Sequence, residues 1–491
     1  MYPRMKKLKR VLAMHFNWTT GLTCFCFLAV AGLFLAKNFQ PLQLELVLIF
    51  GLLSMLTIRS RNIAWMIFMI LFGLSLGLWR GDQFQQSFSA YDRIYEKKVV
   101  IVAEARSDGV YDDKKQLEFE VGDVYIPEED LYLPGKMTIS GFGTPAVTRG
   151  DIVQVEGKIY QTRGGKVGRI SFAQIEVINR TDSFVEKIRQ NFVAGVYNAL
   201  PEPAASFALG LLIGQRSTLP DNVDENFKKV GLVHIVAVSG YNLTILVLFA
   251  RRLLEKTSKY QATLLSGGLI VGFLLITGFS ASIVRASIVS ALSLLTWYVG
   301  RSMKPVLLIG LTAFITGIWN PIYVWFDIGW YLSFLAFFGV LVLSPLLILR
   351  YSKSDKLLTL KQLISDTFSA QILTLPIIMF IFGRVSLVGF MVNIIVVPLV
   401  PFAMLSSFIA GIAGMLSPHV AGVLALPAKI MLVAILDVAN LFAQIPGALI
   451  DTKISLTEMI FAYALIIVIC LILYHKTKNR RDIIDLEKEL L

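Results

Sequence analysis

A long series of apolar runs constrains this chain more than any other feature. Three occupy Phe16–Ala36, 42–58 and 63–79. Nine more follow at about 233–250, 262–279, 282–299, 305–319, 324–349, 366–382, 387–416, 421–445 and 457–474. Hydrophobic residues make up 55% of the 491 and charged residues only 16%, against roughly 25% charged in soluble domains. A soluble fold cannot hide that much apolar surface. The expected fold class is a polytopic α-helical membrane protein of about twelve spans.

Basic residues set the orientation. Arg4, Lys6, Lys7, Lys9 and Arg10 precede the first run, and Arg59 and Arg61 precede the third. Later clusters follow alternate runs: Arg251, Arg252, Lys256 and Lys259, then Arg301 and Lys304, then Arg350, Lys353, Lys356 and Lys361. With the basic tail from His475 to Arg481, this pattern puts both termini in the cytoplasm and the region after Arg80 outside. The basic start reads as an uncleaved first span rather than a signal peptide, because two more spans follow. The net charge of +12 resides in these loops; it is compatible with a polyanionic cargo without requiring one.

Residues 91–180 change character. Val99–Glu104, Gln116–Val121 and Asp151–Gly157 alternate apolar and polar residues, with Gly and Pro clusters between them. The pattern predicts five or so short strands in a small all-β, OB-like external domain. Fold alone does not give it a function. Acidic residues outnumber basic ones there, which argues against phosphate binding over its whole surface. A local groove around Lys114, Lys115, Arg163, Lys166 or Arg169 with Tyr111 or Phe119 stays open, beside a purely structural role. The organisation that results is N-terminal transmembrane helices over 1–85, the β domain over 86–182, an amphipathic or re-entrant segment over 183–228, a membrane domain over 229–475 and a tail over 476–491. Within the third part, Ala204–Gly214 is too short to span.

Polar side chains inside the apolar runs carry the functional signal, since an unpaired polar group in an apolar medium costs roughly 2–7 kcal/mol. The segment Gly231–Ile245 holds His234, Ser239, Tyr241 and Asn242, with Ser239-Gly240 where a helix can break. Gly278, Ser282, Ala286 and Ser290 form a small-residue stripe for close helix packing, and Arg285 lies beside it. Asp327 begins a span, where a carboxylate also suits the helix dipole. The orientation puts Arg285 and Asp327 on the same side, so an ion pair or shared hydrogen-bond network between them is expected. Gln371 and Asn393 are neutral hydrogen-bonding groups that suit a hydrated passage or tie helices together. Asp437, Asn440 and Gln444 form a further stripe. Cys24, Cys26 and Cys470 all lie in apolar runs and the four histidines are scattered, so no disulfide, metal or cofactor is expected. No P-loop occurs.

Gly231-Leu-Val-His-Ile-Val-Ala-Val-Ser-Gly240, preceded by Leu211–Arg216 and Phe227–Leu232, resembles the signature of the ComEC competence proteins, the inner-membrane DNA-uptake channel family. Four later segments fit the same pattern: Gly278-x-x-x-Ser282-x-x-Arg285-Ala286, Asp327 before Leu332-Ser-Phe334, Ser369-Ala-Gln371 with Leu375-Pro376, and Phe382–Ser386 with Asn393 ahead of Pro398. Tyr241-Asn242 stand where the family usually has Leu-His. The resemblance implies passage of single-stranded DNA across the cytoplasmic membrane in natural transformation. It makes Arg216, His234, Ser239, Tyr241, Asn242, Arg285, Asp327, Gln371 and Asn393 path residues. Implied partners are single-stranded DNA, the lipid bilayer, a cytoplasmic DNA translocase and an external DNA receptor or nuclease. Many such proteins also carry a metallo-β-lactamase-like domain with a His-x-His-x-Asp-His cluster; this sequence shows none, so no enzymatic activity is expected. The alternative is a secondary transporter with a buried Arg285–Asp327 site. A membrane nuclease is disfavoured.

Overall fold

The computed structural model describes residues 15–39, 42–111, 116–142, 146–162, 166–215, 218–236, 240–254, 258–300, 304–351 and 358–477. The chain forms two compact units. Met1–Lys187 and Val299–Trp330 make the first, and Ile188–Tyr298 and Tyr331–Leu491 the second. Residues 299–330 thus group with the N-terminal part.

In the first unit the helices Trp18–Ala36 and Ile63–Phe88 touch backbone to backbone. Gly73, Gly77 and Gly81 recur every four residues on one face. A Cβ at Gly73 would come 2.4 Å from the Phe25 carbonyl oxygen, and one at Gly77 2.0 Å from that of Ala29. This is how small residues let helices close where lipid offers no hydrophobic drive. The helix Pro305–Trp319 and the turn Ile322–Phe326 complete the helical part. Trp325 Nε1 donates to the Leu33 carbonyl at 2.7 Å, and Arg80 Nε to that of Ile318 at 3.0 Å.

The β module has seven strands: β1 (Lys98–Ala105), β2 (Val110–Tyr111), β3 (Leu117–Ile126), β4 (Leu131–Leu133), β5 (Met137–Phe142), β6 (Ile152–Gln161) and β7 (Gly168–Asn179). Five of them close a ring of pairings, β1–β6–β7–β5–β3–β1, in which only β5–β7 is parallel. The two beyond the expected five, β2 and β4, pair with β3; at two and three residues they are too short to show alternation. Ile101, Val121, Ile139, Val155 and Ile170 fill the interior, and Tyr91, Ile94 and Ile322 extend it beyond the strands.

Asp151 is fully buried at one end of this module. Burial alone would raise its carboxyl. Hydrogen bonds from the Thr148 and Thr181 backbone N–H groups and the Thr148 hydroxyl, with the Arg180 guanidinium at 2.8 Å, outweigh that and hold it below the ordinary 3.8.

The second unit is built round the helix Ala204–Ile213, whose ten residues are all buried. A helix apolar on every side belongs in a core. Residues of Ile235–Val236, Val400–Ala410 and Ala428–Ala439 pack about it.

The expected dozen spans are not all present as long helices. Seven described helices are long and apolar enough to cross a membrane: Trp18–Ala36, Ile63–Ile94, Lys259–Thr277, Ile328–Arg350, Leu358–Phe382, Leu426–Ala443 and Leu456–Lys476. An eighth forms if Gly389–Val396 and Val400–Leu416, bent by 52°, are one span. Leu44–Leu56, Ala204–Ile213, Ser282–Tyr298 and Pro305–Trp319 are shorter apolar helices. The run at 233–250 divides into Val233–Val236 and Gly240–Leu254. Gly278 ends a helix at φ +87° rather than lying within one, so the small-residue stripe starts at Ser282. The run at 324–349 starts its long helix only after Asp327 and includes a π turn over Gly339–Leu343.

Two outcomes are expected. Gly77→Leu forces the paired helices apart, costs about 1–3 kcal/mol and lowers the thermal midpoint in detergent. Asp151→Asn destabilises the protein at neutral pH. Because the folded carboxyl titrates below the unfolded one, wild-type stability from Asp151 is present above about pH 4 and lost as pH falls through the folded value. The gap between wild type and variant in thermal midpoint therefore narrows on acidification.

Candidate functional site

One sequence-predicted polar residue of the second unit, Asn242, sits at an end of the buried helix Ala204–Ile213. The last four carbonyls of a helix have no partner within it. Here Asn242, itself 1% exposed, donates from Nδ2 to the Leu211 carbonyl at 3.0 Å. Gly214 then turns the chain out at φ +76°. Near the start of the helix, the Ser206 hydroxyl donates to Glu202 Oε1 at 2.6 Å and its N–H to Oε2 at 3.3 Å. A side chain thereby serves one backbone group at each end of this core helix.

Two segments distant in sequence converge beside it. Gly231 closes the helix Asp221–Val230 at φ +73°, and a Cβ there would lie 3.4 Å from Ser386 and 3.7 Å from Gly389. Asn393 Nδ2 donates to the Gly389 carbonyl at 2.8 Å. Its buried Oδ1 and the Ser386 hydroxyl have no hydrogen-bond partner among the described residues. His234 is exposed, and its Nδ1 lies 3.1 Å from the Gly231 carbonyl. A carbonyl only accepts, so Nδ1 carries the proton and Nε2 of the neutral ring is an acceptor. Ser386 belongs with this group, although its hydroxyl gave no signal of its own in the sequence.

Arg285 is 4% exposed, so it does not snorkel, and its guanidinium lies 5.9 Å over the Phe334 ring. Gln371 is half-buried on Leu358–Phe382. Asp327 lies in the other unit. Its Oδ1 accepts the Trp330 N–H at 3.1 Å, the bond of a helix N-cap. Its carboxylate also acts on Lys136 of the β module, opposing the burial that lowers that amine. Arg285 belongs to the second unit and Asp327 to the first. Arg216 and Ser239 lie outside the described residues, as do the side chain of Tyr241 and the groove residues Lys114, Lys115 and Arg163.

The β module offers a second surface. Phe172 is an extra residue in β7: Ser171 faces Ser140 and Ala173 faces Gly141. It holds φ +57° and is 73% exposed. A phenylalanine in the left-handed region is strained. A Cβ at Gly141 would come 2.1 Å from the Ala173 carbonyl oxygen, so only glycine fits beside the bulge. Tyr160 and Phe142, on the two strands flanking β7, are also exposed. Lys158 lies 5.4 Å over the Tyr160 ring, and Arg169 donates to Ser140.

A family model described as Competence protein matches residues 211–476. The chain is 26% identical over 247 residues to ComE operon protein 3 of Bacillus subtilis (strain 168). The match covers 49% of this chain and 31% of that protein, so the chain spans about a third of the relative's length. No solved structure matches.

Asn242→Leu removes the donor from a buried carbonyl. The expected cost is about 1–3 kcal/mol, read as a lower thermal midpoint in detergent. An unchanged midpoint would mean that the Leu211 carbonyl is served by water.

Proposed function

The chain belongs to the competence protein family, and on that premise we propose that it passes single-stranded DNA across the cytoplasmic membrane during natural transformation. The observation that carries this reading lies inside the family match. Polar groups from two segments distant in sequence meet at Gly231, Ser386 and Gly389, and the Ser386 hydroxyl and the Asn393 oxygen are buried there without a hydrogen-bond partner among the described residues. Neutral amides and hydroxyls give a hydrated polyanion somewhere to pass without holding it. Buried polar groups in a membrane protein are expensive and most often face a cavity or a partner.

The β module is the external landing site in this reading. Its closed five-strand ring, with one parallel pair, fits an OB-like barrel. Tyr160, Phe172 and Phe142 with Lys158 and Arg169 supply stacking faces and cations, the two ingredients of sequence-tolerant single-strand binding. Both termini are cytoplasmic. A cytoplasmic translocase drives the strand, and an external receptor or nuclease delivers it. The chain conducts the strand and does not cleave it.

Two measurements test this. Cells carrying Arg285→Ala, with normal protein level in the membrane, take up little labelled DNA into the cytoplasm; wild-type uptake ends the proposal. Binding of a mixed-sequence single strand to the purified chain in nanodiscs weakens steeply with salt. Phe172→Ala weakens that binding by about 5-fold or more.

A further inference from the structure

Asp437 and Asn440, a pair the sequence leaves without a role, line a cleft with Asn222 and Asn226 between the helices Asp221–Val230 and Leu426–Ala443. Its volume is about 190 Å³, room for about six waters at roughly 30 Å³ each. Pro203 and Leu436 form apolar walls, and among the described residues no cationic side chain lines it. Asn226 Nδ2 donates to Asn440 Oδ1 at 3.2 Å. That bond orients both carboxamides and leaves the Asn226 oxygen and the Asn440 amide nitrogen uncommitted among the described residues. The Asp437 carboxylate makes no ion pair among them. Of the two lysines on the facing helix, Lys228 is committed to Asp224 at 2.6 Å, and neither it nor Lys229 lines the cleft.

This chemistry excludes a phosphate site, which needs cations or converging N–H donors. A carboxylate beside a fixed donor and acceptor, between apolar walls, matches instead a flat heterocycle with an exocyclic amine. Carboxylates accept from the cytosine N4 amine, and carboxamides pair with adenine N6 and N7. Thymine has no exocyclic amine and flanks its single N3–H donor with the O2 and O4 carbonyl oxygens, which repel the Asp437 carboxylate, so it fits less well. Unstacked bases of a single strand present these edges.

We propose that this cleft holds one base of the passing strand by its edge and favours the amino-bearing bases over thymine. The inference rests on the DNA-passage reading above and adds base preference to it.

The test uses the full chain in nanodiscs with fluorescent oligo-dC, oligo-dA and oligo-dT, followed by anisotropy. Wild type binds oligo-dC and oligo-dA about 5-fold or more tighter than oligo-dT. Asp437→Asn and Asn440→Ala, each checked for an unchanged thermal midpoint, abolish that difference by weakening oligo-dC and oligo-dA and leaving oligo-dT within about 2-fold. Three outcomes overturn the cleft proposal alone: no preference in wild type, a preference that survives both variants, or a change equal for all three oligomers. Failure of wild type to bind any of the three overturns the DNA-passage reading with it.

Discussion

In a bilayer each backbone N–H and C=O must find its partner within the protein, because no water is there to supply one. The second unit answers that requirement at the ends of Ala204–Ile213. A helix buried on all ten residues places two sets of orphan groups at depth. Asn242 serves one end and Glu202 with Ser206 serves near the other. The polar residues in this region are therefore part of the helix's own structure. Asn242 holds a carbonyl that would otherwise be stranded. Asn393 is tied by its nitrogen while its oxygen stays open.

Much of the architecture was legible because its signals are strong and local. Long apolar runs give long helices, and alternation between strand positions gives β1, β3 and β6. What was hidden depends on contacts between segments. The run at 233–250 carries enough hydrophobicity for a span, yet Val233–Val236 is only one turn before the next helix starts at Gly240. The Gly73, Gly77 and Gly81 stripe was in plain view as a four-residue repeat. Its purpose appears only when the backbone of Trp18–Ala36 is found lying against it.

The site divides in the same way. Motif pieces far apart in the sequence supply Gly231, Ser386 and Gly389, which come together in the fold. Spacing could not say what each side chain touches. Asp327 reads as an ionic partner from its place in an apolar run, and spacing alone could not show that its Oδ1 accepts the Trp330 N–H. Phe172 escaped notice because a phenylalanine in an alternating strand reads as core. The bulge turns it outward.

The circular pairing of β1, β3, β5, β6 and β7 also limits how other molecules can attach. An extended peptide docks most readily by adding itself to an unpaired sheet edge, and a closed ring removes that edge. The short strands β2 and β4 sit against β3 with only two and three residues each, too little for a visiting chain to zip along. Whatever meets this module must be recognised by its side chains, and the risk of sheet-to-sheet aggregation outside the membrane falls for the same reason.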